Sequence, residues 1–138
     1  MVKNTVIGKS VNSGQKGFSL LELMIAMFIM IILLSVAIPT YQRSVQSAKE
    51  TVLRENLWQM RKAIDQYATD KGKLPQSIED LVTNKYLREK PMDPILEEAD
   101  WDEIQGENPG STEGEQGLIN VKSRAQGEDA EGKRYDAY

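Results

Sequence analysis

Lys16-Gly17-Phe18-Ser19-Leu20-Leu21-Glu22 opens an apolar run that lasts to Ile38. Between Phe18 and Ile38 the one ionisable residue is Glu22; the others are Leu, Ile, Met, Val, Phe and Ala, with Ser19 and Ser35. A helix over 18–38 rises about 31 Å at roughly 1.5 Å per residue, close to the ~30 Å hydrocarbon core of a bilayer. Ahead of it, Met1 to Lys16 carries Lys3, Lys9 and Lys16 and no acid. Such a basic flank stays cytoplasmic, and the part beyond the apolar run is exported.

Glu22 has two readings. A carboxylate in hydrocarbon costs a few kcal/mol or more, so it normally has a partner or a task. It can instead sit at headgroup depth, wet and favourable to the helix dipole. The neighbours sharpen the first reading. Cutting after Gly17 would leave the ammonium of Phe18 one helical turn from the Glu22 carboxylate. In a stack of such helices, that carboxylate would pair with a neighbour's ammonium.

The ordered stretch Lys16-Gly17-Phe18-Ser19-Leu20-Leu21-Glu22-Leu23 resembles the class III signal of type IV pilins and type II secretion pseudopilins. The resemblance implies that a membrane aspartyl protease, the prepilin peptidase/methyltransferase, cuts between Gly17 and Phe18 and methylates the new amine of Phe18. It implies that Glu22, with Phe18, sets assembly and register. Residues 1–17 are then a leader and 18–38 a transmembrane and assembly helix. One rival is an ordinary secretory signal cut after Ser35-Val36-Ala37. An acid early in the apolar core, and a run longer than the usual 7–15 residues, count against it.

Mean hydropathy is −0.48 despite the apolar run, so the remainder is polar. Phe and Trp are few, two of each in the whole chain, so its core is small and marginal alone. The net charge of −4 becomes −7 once the leader's three lysines are removed. From Pro91 to Val121 nine acids stand without one base, which argues against nucleic acid, since phosphate binding needs a basic face. No cysteine means no disulfide framework. Many type IV pilins carry a C-terminal disulfide and pseudopilins commonly do not, so this leans toward the latter. The absence of histidine removes Ser–His and Cys–His nucleophile pairs and His/Cys-rich zinc sites.

Pro39 bends the helix without ending it. Beyond it Val45, Ala48, Val52, Leu53, Leu57, Met60, Ile64 and Tyr67 recur at spacings of three and four, with Arg54, Glu55, Arg61, Lys62 and Asp65 between them. That is an amphipathic helix, continuing over 39–71, whose second half serves as the core face of the following domain. Asp70-Lys71-Gly72-Lys73-Leu74-Pro75 stops it. Ser77 and Asp80 make a capping-box pattern for a short helix that buries Ile78, Leu81 and Val82. Tyr86-Leu87 and Pro91-Met92-Asp93-Pro94 follow as a tethered loop. The run from Tyr67 through Gly72, Pro75, Leu81 and Tyr86-Leu87 to Asp93-Pro94 resembles the pseudopilin pattern of a helix-loop segment leading to an Asp-Pro turn. Strands are expected over Trp101–Gln105 and Gly117–Ser123, with an exposed loop over Gly106–Gln116. Ala125–Tyr138 is expected to be irregular, docked by Tyr135 or Tyr138.

The resemblance raises one metal hypothesis. Major type II pseudopilins typically bind calcium in a C-terminal loop, and hard cations want six to eight oxygens. Glu128, Asp129 and Asp136, with Ser123, are the residues offered here. Lys133 and Arg134 intrude, and the plainer reading, an exposed acidic loop, is preferred. Asp100 and Asp102 would share a strand face, but no pocket is implied, so no enzyme is expected; Trp101 reads as a core anchor.

The resulting reading is an α+β, pilin-like subunit. A long N-terminal, transmembrane and kinked helix packs on a small head (72–138) with a short antiparallel sheet. Its role is the major pseudopilin of a type II secretion system, a helical filament of copies of itself. Minor pseudopilins, an inner-membrane platform protein and an assembly ATPase are its implied partners. It starts as a single-pass inner-membrane protein with its C-terminal part in the periplasm and ends in a periplasm-spanning filament. The alternatives are a type IV pilin for adhesion or motility and a membrane-anchored acidic binding module.

Overall fold

The computed structural model describes residues 1–3, 8, 14, 16–110 and 114–138. Lys9 of the leader and residues 111–113 of the expected loop lie outside the described residues. The chain divides into two units, Met1–Pro39 and Thr40–Tyr138. The described elements are a helix α1 (Leu20–Lys71), a short helix α2 (Ile78–Thr83), strands β1 (Trp101–Glu107) and β2 (Gln116–Ser123), and a 3₁₀ turn at Tyr135–Ala137.

In the first unit α1 starts two residues later than Phe18, and its first bond runs from Leu23 N–H to Ser19 C=O at 3.1 Å. Every residue from Leu20 to Pro39 is exposed. Ser35 folds its hydroxyl back onto the Ile32 carbonyl at 2.7 Å, which satisfies a polar group without leaving the helix. Pro39 lies inside α1 and does not end it.

In the second unit, Leu53, Leu57, Met60, Ala63, Ile64 and Tyr67 of α1 are buried. Their three-and-four spacing puts them on one stripe. They meet Leu74, Ile78, Leu81, Leu87, Trp101, Leu118, Val121, Ala125 and Tyr135 in a single core. Burying a leucine or isoleucine of this kind contributes about 1.5–3 kcal/mol. The stripe is shorter than its sequence suggests: Val45, Ala48 and Val52 are exposed, while Glu50 is buried. Glu50 is covered where Tyr135 supplies it with a hydroxyl donor at 2.9 Å.

Gly72, at φ +69, ends α1 with its N–H on the Ala68 carbonyl at 2.9 Å, the left-handed cap that glycine adopts without strain. Ser77 caps α2, accepting from Asp80 N–H at 3.4 Å. The reciprocal bond is displaced by one residue, since Asp80 accepts from Gln76 N–H at 2.8 Å rather than from Ser77. Tyr86 then packs edge-on to Tyr67, its ring centroid 5.2 Å away, and donates to Asp70 at 2.9 Å. That contact returns the chain to the end of α1.

The two strands pair antiparallel, from Trp101 opposite Ser123 to Glu107 opposite Gln116. Both are longer than expected, so the described connection shrinks to its end beyond Glu107. The register slips between Ile104 and Gln105, which face Asn120 and Leu118, leaving Ile119 as the extra residue of a bulge. The slip explains why Leu118 and Val121 both face the core although three positions apart, and why Ile119 is exposed. Gly117 admits the close approach of Leu74 and Pro75, and Leu118 N–H reaches the Pro75 carbonyl at 2.7 Å.

Candidate functional site

The N-terminal stretch is the first candidate. Gly17, Phe18 and Glu22 are all exposed, and Glu22 lies in the first turn of α1. A side chain built at Gly17 meets nothing within 4 Å, and its backbone is not among the positive-φ glycines. Nothing in the fold therefore asks for glycine at this position. Glu22 has no hydrogen-bond or ion-pair partner among the described residues. Around it Leu20, Leu21, Leu23, Met24 and Ile25 present apolar surface. α1 is long and apolar enough to cross a membrane, and its apolar window is wholly unburied.

The C-terminal loop is the second candidate, and its four residues do not converge. Ser123, Glu128 and Asp136 border one open depression with Asp102, Arg124 and Arg134. Asp129 faces away from it, toward α1. Ser123 Oγ is buried and donates to Asp93 Oδ2 at 2.5 Å. Asp136 is held by the Arg134 guanidinium at 2.5 and 3.0 Å. Asp129 Oδ1 accepts from the N–H groups of Glu131 and Lys133 at 2.9 and 2.8 Å. Its Oδ2 accepts from the Tyr138 hydroxyl and from Arg54 Nη2, the latter at 3.1 Å. These donors, led by the Tyr138 hydroxyl, hold the Asp129 carboxyl down at about 2. A hard cation needs carboxylate lone pairs turned toward one point. Here Asp129 and Asp136 spend theirs on protein donors, and two guanidiniums border the depression. Among the described residues no group of three or more acidic side chains could hold a metal, so the residues present do not fit calcium in this arrangement.

Asp129 instead anchors the tail to the helix. Arg54 also bonds the Tyr138 hydroxyl at 2.9 Å and Glu131 at 3.3 Å, and stands 5.0 Å from the Tyr138 ring centre. Tyr135 is buried and donates to Glu50, while Gln46 donates to the Tyr135 hydroxyl at 2.7 Å. Burial, and then the bond to Glu50, push the Tyr135 hydroxyl pKa up. Both tyrosines therefore dock the tail. Arg134 lies in the loop itself, but Arg54, which holds Asp129 and Glu131, comes from far along the chain.

Asp100 and Asp102 have different surroundings. Asp100 precedes β1 and is paired with Arg124 at 2.8 Å, whereas Asp102 is exposed on β1. Trp101 is the expected core anchor, buried with its indole N–H on the Pro91 carbonyl at 2.8 Å. Trp58 was not visible as a feature in sequence. It stands 56 % exposed on the polar side of α1, and the polar company of Arg54, Glu55, Arg61 and Lys62 was the available signal.

Residues 12–38 match the family model of the prokaryotic N-terminal methylation motif. The chain thus carries a class III prepilin signal, continuous with an apolar helix that fits membrane anchoring, on an α+β, pilin-like fold. The family with this motif is structural rather than enzymatic, and its signal implies prepilin peptidase processing and filament assembly. No curated protein and no solved structure matches the chain.

Proposed function

We propose that this chain is the structural subunit of a type II secretion pseudopilus, polymerising through α1 to support protein export across the outer membrane. The observation that carries the reading is Glu22: a carboxylate without a partner among the described residues, in the first turn of an apolar helix, just beyond a glycine that the fold does not require. Cleavage after Gly17 creates the missing cation at Phe18. Subunits then leave the bilayer as their apolar helices pack on one another. The Glu22 carboxylate of one takes the Phe18 ammonium of the next. A charge left unmatched in that core costs several kcal/mol, so misregistered subunits are rejected electrostatically.

The choice of secretion over a surface pilus is supported by the run from Tyr67 to Asp93-Pro94, which resembles the pseudopilin pattern, and by the absence of cysteine from the whole chain. The experiment is a gene deletion scored in parallel for exported proteins and surface fibres. Specific exoproteins lost from the medium, with periplasmic build-up and intact fibres, is the expected result. Lost fibres or twitching with normal export would make the chain a type IV pilin. Neither change, in a strain without a paralogue, would leave a membrane-anchored binding module.

A further inference from the structure

A cleft of about 460 Å³ opens between α1 and the C-terminal loop, wholly within the second unit. Arg43, Ser47 and Glu50 line its helix side at spacings of four and three, which put them on one helix face. Glu128 lines the loop side. The other carboxylates of the cleft are spent on protein donors. Glu50 accepts from Tyr135 and Gln46 at 2.9 and 3.3 Å. Asp129 is held by Arg54, Tyr138 and two backbone N–H groups. Arg43 and Glu128 differ. Both are exposed, and neither has a side-chain hydrogen bond or ion pair among the described residues. Glu128 acts on Arg134 through space, but Asp136 already holds that guanidinium with both oxygens.

The chain brings this pair of charges to a membrane surface. The apolar run of α1 ends at Ile38, and Arg43 follows five residues later. Five residues span at most about 17 Å, whatever path they take. The polar headgroup layer begins where a membrane-spanning apolar run ends. Tyr41, between the two, is 71 % exposed, an aromatic of the kind that collects at headgroup depth. The charge of the occupant follows from the cleft. A purely anionic headgroup would satisfy Arg43 but meet the carboxylates of Glu50, Glu128 and Asp129 on an acidic chain. A purely cationic one would leave Arg43 unanswered. A zwitterion with a phosphate and a primary ammonium satisfies both, since a guanidinium donates to phosphate and a carboxylate accepts from an ammonium. A quaternary ammonium has no N–H to give and is held by aromatic faces, whereas the aromatic of this cleft, Tyr135, is buried.

We infer that the cleft between Arg43 and Glu128 holds the headgroup of an ethanolamine phospholipid, with its phosphate on Arg43 and Ser47 and its ammonium on Glu128. This rests on membrane anchoring alone and is the same for a secretion pseudopilin and a surface pilin. While the subunit waits in the bilayer, one lipid completes both free charges. A subunit that leaves the bilayer gives that lipid up and uncovers them.

The full-length chain is purified in detergent, supplied with equal amounts of phosphatidylethanolamine and phosphatidylglycerol of the same acyl chains, and read by native mass spectrometry. The native chain is expected to retain the ethanolamine lipid about tenfold more than the glycerol lipid, the gain of one added charge-assisted hydrogen bond. Glu128→Gln is expected to bring that ratio to within about twofold, and Arg43→Gln to lower retention of both lipids about tenfold. Arg88→Gln, which removes an exposed guanidinium elsewhere on the head, is expected to change neither. Phosphoethanolamine without acyl chains, added at the lipid's concentration, is expected to leave the lipid bound, because it lacks the tether that keeps the headgroup beside the cleft. Displacement by it would make the ligand a soluble one and overturn the lipid as its source. Equal retention of the two lipids by the native chain, or a preference that survives Glu128→Gln, overturns the site and leaves the anchoring intact. A native chain that alkaline carbonate washes from membranes overturns the anchoring and the site with it.

Discussion

Ser123 Oγ donates a 2.5 Å hydrogen bond to Asp93 Oδ2, joining the last residue of β2 to the Asp-Pro turn thirty positions earlier. Both side chains are buried, and Ser123 Oγ in turn accepts from Ala125 N–H at 3.0 Å. Asp93 Oδ1 accepts from the N–H groups of Ile95 and Leu96 at 2.8 and 3.3 Å, and the Asp93 backbone is bridged to Glu98. One carboxylate thus folds the turn with one oxygen and fastens it to the sheet with the other.

The two partners should not be equal in mutation. Asp93→Ala removes three bonds, stranding one hydroxyl and two N–H groups, and should cost ~3 kcal/mol or more, whereas Ser123→Ala removes two and should cost about 2 kcal/mol. Thermal unfolding of the detergent-solubilised full chain measures both. An equal loss for the two variants would contradict this division of labour.

Gly117 and Gly106 face each other across the hairpin but are constrained differently. A Cβ at Gly117 would lie 2.5 Å from Leu74 Cβ and 2.8 Å from the Pro75 carbonyl oxygen; one at Gly106 would meet Ile119 Cδ1 at 2.4 Å. Backbone cannot retreat, while the exposed end of Ile119 can turn away. Gly117→Ala should therefore cost roughly 2–3 kcal/mol and Gly106→Ala under about 1 kcal/mol. The reverse order in the same melts would show that β2 is free to move off Pro75.

Asp129 makes tail docking sensitive to acid. Its carboxyl is held at about 2 against an ordinary 3.8, first by the Tyr138 hydroxyl and then by the N–H groups of Lys133 and Glu131 and by Arg54. A depressed acid pKa contributes stability that is complete above the unfolded value and lost as pH falls through the folded one. The Tm advantage of the native chain over Asp129→Asn should thus be full above about pH 4 and fade toward pH 2. A difference that stays constant across that window would mean that the charge is not what holds the tail.

The parts of this fold that follow local rules could be read in advance. Leu53, Leu57, Met60, Ile64 and Tyr67 mark the core stripe by spacing alone, Gly72 and Pro75 stop the helix by their backbone chemistry, and Lys16 to Glu22 carry the processing signal as an ordered motif. What could not be read depends on partners distant in the chain. Val52 and Leu53 are equally apolar neighbours, and only the covering head decides that Leu53 is buried. Glu50 looks solvated until Tyr135 reaches it from 85 positions away. Asp129 looks like a cation ligand because the cation that holds it, Arg54, is 75 positions upstream. The bulge at Ile119 shifts which residues face inward, and nothing in the alternation announces it.

Glu22→Ala tests the assembly role directly. The Gly17–Phe18 peptide, which we propose is the bond cut, is exposed and four residues upstream of the altered side chain, so the leader should still be removed, as a mobility shift reports. The helix should also persist, because alanine is the best helix former and Glu22 makes no side-chain bond among the described residues. What disappears is the carboxylate that would receive the Phe18 ammonium of the next subunit. That ammonium is then buried unpaired in an apolar bundle at a cost of several kcal/mol. Since each ~1.4 kcal/mol is tenfold in an equilibrium constant, filament yield should fall at least ~100-fold while the processed subunit accumulates in the membrane. Glu22→Gln separates charge from shape and should assemble no better than the alanine variant. Normal filament yield from either processed variant would remove Glu22 from assembly and return it to the headgroup layer as a solvated residue at the start of a helix.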